Sequence, residues 1–282
     1  NTAVEGAVNP GVNPGVNLGV NPAAPQRIFD AAMEMHRAGL NVVPTKQDGT
    51  KVPDLPSWRQ YQKKRTSGQQ IWSWFGSNQA TGIGVIYGEV SGNTEMLEFE
   101  GRAIEEGLLD EVSALMEKTG VGPVWDRILT GWAGQSPSGG MHLRFRVEGT
   151  PVKGNTKLAS REAREDELTA DERDLKARRP NKVILRGLIE TRAEGGFGVC
   201  EPSSGTVHPS GKPYVRLAGG PATMPVISAE EYTLIHQVCK AVDRTPRKEA
   251  AQWKGRPLKE LPDGRLRPGD AYNAEGDVGL LL

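Results

Sequence analysis

The chain has 282 residues, of which 37% are hydrophobic, so it is long enough for one large globular domain or two small ones. Its 35 Lys and Arg residues balance 35 Asp and Glu residues, which excludes a global positive field. A nucleic acid or an acidic membrane surface would therefore have to be bound by a local patch. Two cysteines and four histidines are too few for a disulfide framework or a zinc site with several ligands, so any metal should be held by oxygen.

The two ends of the chain differ in composition from its middle. Residues 1–25 contain the repeat "VNPGVNPGVNLGVNP", whose turn signals and missing apolar face predict a flexible tail. Residues 244–282 are polar and rich in Pro, Lys and Arg, which predicts a linker toward a further region. We expect one folded domain over residues 26–243. Since the sequence has no apolar run that could span a bilayer and no recognisable signal peptide, we expect no membrane association and a cytoplasmic protein.

The first half of the domain alternates helix and strand patterns. "PQRIFDAAMEMHRAGL" has apolar residues at helical spacing, and "LNVVP" follows as a short strand. "GQQIWSWFGSN" predicts a short helix with Ile71, Trp72 and Phe75 in the core. "TGIGVIYGEVSGNTEMLEFEG" predicts two strands joined by a turn, and "RAIEEGLLDEVSALMEKTG" predicts an amphipathic helix.

The second half is richer in strands. "DRILTGWAGQSPSGGMHLRFRVEG" predicts a strand, a Gly/Ser/Pro loop and a second strand, in which His142 faces away from the apolar side. Residues 160–182 are highly charged, which predicts a surface helix or insertion, and several short strands follow. The last helix should begin at Ser228, because Glu231 completes a capping box with it.

Three glutamates lie inside apolar strand patterns: Glu98 and Glu100 in "MLEFEG", and Glu190 in "LIETR". Side chains at alternate strand positions lie on one face, roughly 6.6 Å apart, within reach of a common pair of divalent ions. A cation would also relieve the repulsion between the two neighbouring carboxylates. Oxygen ligands favour Mg²⁺ or Mn²⁺. Taken alone, an alternating acid pair is weak evidence, because it is more typical of a strand with one solvated face.

A glycine-rich turn precedes His142 in "SPSGGMHLRF". Small residues such as Ser138 and Gly139 let backbone N–H groups approach a phosphate, and His142 could bind the same anion. A lone histidine can also be purely structural.

The segment "ETRAEGGFGVCEPSSGTVHPSGKPY" could present Arg192 and His208 to a nucleotide, or it could be an ordinary long turn. The glycines of "TGIGVIYG" lie in a strand with no helix opening on them, which excludes a dinucleotide-binding fingerprint. No GxxxxGK[ST] motif occurs, which excludes a P-loop motor in this segment.

The order of these motifs resembles that of the prim-pol domain, the bifunctional DNA primase/polymerase of the archaeo-eukaryotic primase superfamily found in phage and plasmid replication proteins. The resemblance spans roughly residues 26–220 and rests on "HRAGLNVVPT", "KVPDLPSWRQY", "TGIGVIYGEVSG", "MLEFEG", "SPSGGMHLRF" and "LIETRAEGGFGVCEPSSGTVHPSGKPY". It implies an α+β fold with an RRM-like antiparallel sheet backed by helices. A smaller N-terminal αβ module would pack against that sheet.

The resemblance also implies roles for single residues. The family's acid-x-acid metal motif falls on Glu98 and Glu100, and its metal-binding acid followed by a basic residue falls on Glu190 and Arg192. Its nucleotide-contacting histidine falls on His142. The family's acid pair more usually begins with aspartate, and the longer glutamate here could favour Mn²⁺.

The implied activity is template-directed transfer of a nucleotide from an NTP or dNTP to a 3′-hydroxyl on single-stranded DNA, with two Mg²⁺ or Mn²⁺ ions. The template would be held by local basic residues such as Lys63, Lys64 and Arg65. The implied partners are template, primer, NTP or dNTP, and a helicase in the same polypeptide or replisome. Two alternatives remain open at this point: a catalytically impaired nucleic-acid-binding module, and a metal-dependent nuclease or phosphohydrolase.

Overall fold

Two β-sheets, one large and one small, organise the part of the chain that the structure describes. The structure is a computed structural model and describes residues 27–77 and 79–246. The predicted tail, and all of the predicted linker after residue 246, lie outside the described residues. The helices are α1 (Ile28–Arg37), α2 (Gly68–Phe75), α3 (Gly101–Glu105), α4 (Leu108–Lys118), α5 (Gly122–Gly131), α6 (Ala170–Arg178) and α7 (Ala229–Ala241). The strands are β1 (Asn41–Pro44), β2 (Ile83–Ile86), β3 (Thr94–Phe99), β4 (Trp132–Gln135), β5 (Met141–Val147), β6 (Lys157–Glu162), β7 (Leu185–Arg192), β8 (Phe197–Cys200), β9 (Val215–Gly219) and β10 (Val226–Ile227).

The large sheet has the strand order β6-β7-β3-β5-β4-β9, with antiparallel neighbours, and β10 adds in parallel to β5. The alternation along β3 and β5 places Leu97, Phe99, Leu143 and Phe145 on one face, where they join a buried core with residues of α4, α5 and α7. Each such fully buried side chain contributes about 1.5–3 kcal/mol. This packing leaves the other face of β3 and β5 for polar residues.

The small sheet has the order β1-β2-β8 and is antiparallel throughout. Ile83 and Val85 of β2 share a second buried cluster with residues of α1 and α2, and with Met96 and Trp132 of the large sheet. The polar face of the large sheet is therefore partly covered. Because β8 follows β7 after a short turn, the chain passes from the large sheet to the small one directly beyond Arg192.

The α+β fold predicted from the sequence is confirmed, with a large antiparallel sheet backed by helices and a smaller αβ module. The small sheet takes its third strand from Phe197–Cys200, far along the chain from its first two. Among the described residues, no helix is both long enough and apolar enough to cross a membrane. The predicted capping box forms, since the backbone N–H of Glu231 donates to Ser228 Oγ and that of Ser228 donates to the Glu231 carboxylate.

Three local predictions are wrong. The single amphipathic helix predicted over residues 102–120 is divided into α3 and α4, because the chain turns at Gly107, whose φ is 72°. Residues 126–131, predicted as part of a strand, belong to α5, in which Trp125, Ile128 and Leu129 recur at helical spacing and are buried. Trp72, predicted in the core, is 67% exposed. Ile71 and Phe75 are one helical turn apart and already face the core, so the intervening Trp72 points to solvent.

Candidate active site

Three of the residues singled out in the sequence lie side by side across the middle of the large sheet. On β3, Glu98 is paired directly with Glu190 of β7 on one side and with His142 of β5 on the other. Cross-strand partners on one face have Cβ atoms about 4.5–5.5 Å apart. The strand register therefore brings together two carboxylates and a histidine from three distant parts of the sequence.

The Glu98 carboxylate contacts a histidine on one side and an arginine on the other. His142 Nε2 lies 3.4 Å from Glu98 Oε1, and Arg192 Nη2 lies 3.2 Å from Glu98 Oε2. Burial by itself would raise the pKa of the Glu98 carboxyl, but the contact with His142 and the charge of Arg192 lower it to about 2. Glu98 is therefore ionised at neutral pH.

Arg192 links Glu98 to Glu190. Its Nη1 lies 3.0 Å from Glu190 Oε2, and Lys157 Nζ approaches the other oxygen of Glu190 at 3.6 Å. The Arg192 side chain is 27% exposed, so it can be reached from the cavity in front of the sheet. The arrangement neutralises two of the three acids with side chains of this chain.

Glu100, predicted inside the strand, directly follows β3 and precedes α3, and its backbone N–H donates to the carbonyl of Leu188 at 2.9 Å. Burial, followed by the negative charge of Glu98, raises the pKa of the Glu100 carboxyl. Within residues 27–77 and 79–246, Glu100 takes part in no salt bridge. Among the three glutamates of the site, Glu100 is therefore the one whose negative charge is least compensated.

The three glutamates offer only carboxylate oxygens, the donors that Mg²⁺ and Mn²⁺ prefer. In the described part of the chain, no three His, Cys, Asp or Glu side chains are arranged as a ready-made metal site. Arg192 instead holds one oxygen each of Glu98 and Glu190. The donor chemistry and the like-charge repulsion at Glu100 fit a divalent cation, whereas Arg192 occupies one oxygen of each of the other two carboxylates.

The glycine-rich turn before β5 is closed by its own backbone. The N–H of Ser136 donates to the carbonyl of Gly140 at 2.8 Å, and Gly139 has a φ of 82°, a conformation that glycine adopts without strain. A Cβ on Gly101 would lie 1.9 Å from the Ser138 carbonyl oxygen, so the turn packs closely against the start of α3. Ser138 lines the cavity in front of Glu98, whereas Gly139 lines a neighbouring depression.

His208 reaches the same cavity from the loop after β8. Its Nδ1 accepts the backbone N–H of Ser210 at 3.1 Å, and its Nε2 lies 3.2 Å from Ser138 Oγ. Burial, and next the charge of Lys51, lower the pKa of His208. In the neutral ring the proton must then be on Nε2, which donates to Ser138 Oγ and leaves the Ser138 hydroxyl free to donate into the cavity.

The cavity has a volume of about 300 Å³. Besides the predicted Glu98, Glu100, Ser138, His142, Arg192 and His208, its lining includes Thr50, Lys51, Ser136, Phe197, Val199 and Tyr214. Sequence reasoning did not select Lys51, since "KQDGTKVP" reads as an ordinary polar loop. Burial, followed by the charge of Glu98, raises the pKa of Tyr214, so its hydroxyl stays protonated.

Behind His142 lies Arg144, an arginine whose position beside His142 in the sequence suggested a second contact to the anion but which is buried instead. Arg144 has no exposed surface, and its Nη2 lies 3.2 Å from Glu201 Oε2 and 3.5 Å from His142 Nδ1. Its Nε donates to the Tyr87 hydroxyl at 3.1 Å, and its guanidinium carbon lies 4.3 Å from the ring centroid of Trp132. Because arginine only donates, Nδ1 of His142 accepts and the ring proton of the neutral form lies on Nε2, toward Glu98.

The comparisons with known proteins agree with the order of these motifs. No curated protein matches the chain. Residues 32–227 match the profile of the family described as "Bifunctional DNA primase/polymerase, N-terminal", a range that contains both sheets and every residue of the cavity. The chain belongs to this Prim-Pol family of bifunctional DNA primase/polymerase N-terminal domains.

Proposed function

We propose that the chain is an active primase/polymerase domain, which transfers a nucleotide from an NTP or dNTP to a 3′-hydroxyl on a single-stranded DNA template. The observation that carries the proposal is the row of Glu190, Glu98 and His142 across three paired strands, with Glu100 two residues beyond Glu98. Membership of the Prim-Pol family supports the same activity. The proposal places the chain in phage or plasmid replication, with a helicase as partner.

Glu98, Glu100 and Glu190 would hold two Mg²⁺ or Mn²⁺ ions. When bound, such ions lower the pKa of the attacking hydroxyl and stabilise the charge that develops on the transferred phosphate. The carboxylates of this chain contribute charge and position. Glu98 is ionised already, and Glu100 gains most from a cation because its neighbours repel its negative charge.

The remaining cavity residues supply donors for a triphosphate. Arg192 and Lys51 carry positive charge, and His142 and the Ser138 hydroxyl line the same cavity as hydrogen-bonding groups. In the reaction the 3′-oxygen bonds to the α-phosphorus, the bond from that phosphorus to the bridging oxygen breaks, and pyrophosphate leaves. The hydroxyl proton is released to solvent. Before this step, on binding of the triphosphate, Arg192 would move from Glu98 and Glu190 to the phosphates, which opens the acids to cations.

A primer-extension assay tests this proposal. Wild type, Glu98→Gln and His142→Ala are incubated with single-stranded template, labelled NTPs or dNTPs, and Mg²⁺ or Mn²⁺, with and without primer. Glu148→Gln is the matched control, because Glu148 is an exposed glutamate just beyond the end of β5. We expect metal-dependent products from wild type and the control, and a loss of at least about 100-fold in the two site variants. A wild type without metal-dependent product would contradict the proposal.

One observation favours a second candidate function, a nucleic-acid-binding module without catalysis. Arg192 and Lys157 already neutralise Glu98 and Glu190, and the described residues contain no ready-made metal site. The same assay separates the two functions. A non-catalytic module binds the template but yields no product with either metal.

A further inference from the structure

A strip of aromatic and basic side chains leads away from the cavity along the small sheet. Phe197, half-buried, lines the cavity, and the ring of Trp58, also half-buried, lies 6.2 Å from it at an interplanar angle of 53°. We call this surface the Trp58 strip, and it comprises Lys51, Trp58, Arg59, Lys63, Lys64 and Phe197.

The strip is attached to the turn that leaves the active site. The 3-10 helix Arg59–Gln62 packs there, since Gln62 Nε2 donates to the carbonyl of Gly195 at 2.7 Å. Lys63 Nζ lies 3.3 Å from Glu194 Oε1 in the same turn. This turn joins Arg192 of the site to Phe197, so cavity and strip form one continuous surface.

The strip carries positive charge in a chain whose overall charge is balanced. Residues 49–65 contain five Lys and Arg residues and a single acid, Asp54. Lys51, Arg59 and Lys64 are exposed and, within the described part of the chain, take part in no salt bridge. Unpaired cations beside half-exposed aromatic rings are the combination that binds single-stranded nucleic acid.

The geometry points to the Trp58 strip as the surface that holds the single-stranded template. Bases stack on Trp58 and Phe197, and phosphates lie against Arg59 and Lys64. The templating base must meet the incoming nucleotide in the cavity, and Phe197 belongs to both surfaces. The identification of this strand as the template rests on the proposed function. The binding of a single strand is tested without it.

The test is equilibrium binding of a labelled single-stranded oligothymidylate to the whole chain, without metal or nucleotide. We expect Trp58→Ala to weaken binding about tenfold or more, since each base that stacks on an aromatic ring contributes substantially to the affinity for the strand. Trp58→Phe keeps a ring and should bind nearly as wild type does, which separates stacking from a folding defect. Trp72→Ala is the matched control, because Trp72 is 67% exposed on the outer face of α2.

The charges are tested through the dependence of binding on salt. Arg59→Gln and Lys64→Gln should each reduce the slope of log K against log salt by about 0.7, as expected for one phosphate contact on a single strand. Lys182→Gln, an exposed lysine before β7, should leave the slope unchanged. Equal slopes in all variants would overturn the role of Arg59 and Lys64.

Three results would overturn the inference as a whole. They are unchanged binding by Trp58→Ala, an equal loss in Trp72→Ala, and self-association of the wild type that Trp58→Ala abolishes, which would assign the strip to a second copy of the chain. Failure of the proposed function gives a different result. In that case, Trp58-dependent binding of the oligonucleotide persists while wild type extends no primer.

Discussion

The arginine between the acids offers the sharpest test of the site. Replacing Arg192 by glutamine removes the cation that holds Glu98 and Glu190 and keeps a polar side chain in its place. We expect Arg192→Gln to be less stable than wild type at pH 7 without metal. We also expect divalent cations to stabilise the variant more than they stabilise wild type, because a metal ion would replace the missing charge.

The size of the effect follows from the contacts of Arg192, whose nitrogens lie 3.2 Å from Glu98 and 3.0 Å from Glu190. At an effective dielectric constant of about 20, each contact corresponds to about 5 kcal/mol of Coulomb energy. The net loss is smaller, because an unpaired carboxyl of ordinary pKa 4.5 can instead take up a proton at pH 7 for about 3.4 kcal/mol. The guanidinium also no longer has to be desolvated, so we expect a loss of about 3 kcal/mol in unfolding free energy.

The pH dependence has a definite sign. The folded-state pKa of Glu98, about 2, lies below its ordinary 4.5, so the ionised carboxylate stabilises the fold above pH 4.5 and this contribution is lost as the pH falls to about 2. Arg192→Gln lacks part of that contribution. The stability gap between wild type and variant should be widest above about pH 5 and should close toward pH 2.

Urea unfolding with and without Mn²⁺ measures both effects. Arg186→Gln is the matched control, because Arg186 also lies on β7 but pairs with Glu172, away from the cavity. Metal should stabilise this control no more than wild type. The reasoning is refuted if Mn²⁺ stabilises Arg192→Gln, Arg186→Gln and wild type equally, or if the stability gap is independent of pH.

Three further changes probe the site and its support. Glu100→Gln should raise the unfolding free energy without metal at pH 7 while abolishing extension, because the raised pKa of this carboxyl means that its ionised form opposes folding. The gain in stability should vanish below about pH 4.5. A variant less stable than wild type at pH 7 would contradict this. Ser138→Ala and His208→Ala should each raise the nucleotide KM. The double variant should raise the KM little more than either single one, since His208 acts through the Ser138 hydroxyl. Additive increases in KM would show separate contacts. Gly134→Ala should lower the unfolding free energy by about 3 kcal/mol in thermal unfolding, because its Cβ would lie 2.8 Å from the buried Glu201 Oε2, which belongs to the ion pair behind the cavity. Gly154→Ala is the control, because a Cβ there would have nothing within 4 Å, and it should leave the stability unchanged. Equal melting temperatures of the two variants would refute this.

The sequence predicts the acids of this site better than their arrangement. Alternation in "MLEFEG" places Met96 and Glu98 on the face opposite Leu97 and Phe99, as the structure has them. That Glu190 lies directly opposite Glu98 depends on the register between strands far apart in sequence. Periodicity within one strand carries no information about that register.

The buried support of His142 lies beyond sequence reasoning for a similar reason. Alternation in β5 predicts that His142 and Arg144 share a polar face, and a polar face normally points to water. Here both are buried, because the small sheet, Trp132 and Glu201 cover that face. Only tertiary packing decides whether such a face is solvated. Lys51 likewise enters the site because a distant loop folds over the cavity.

The row of Glu190, Glu98 and His142 at the centre of the large sheet forms only when the whole domain is folded. Its members come from β3, β5 and β7, and β3 holds the other two in place through pairings on both of its edges. A fragment ending after β5 would keep Glu98 and His142 but lack Glu190 and Arg192, so it would have neither the third acid nor the cation that neutralises them. A transient opening of β7 would likewise separate Glu190 and Arg192 from Glu98, so the lifetime of the complete site is tied to the slow opening of the sheet rather than to the motion of any loop.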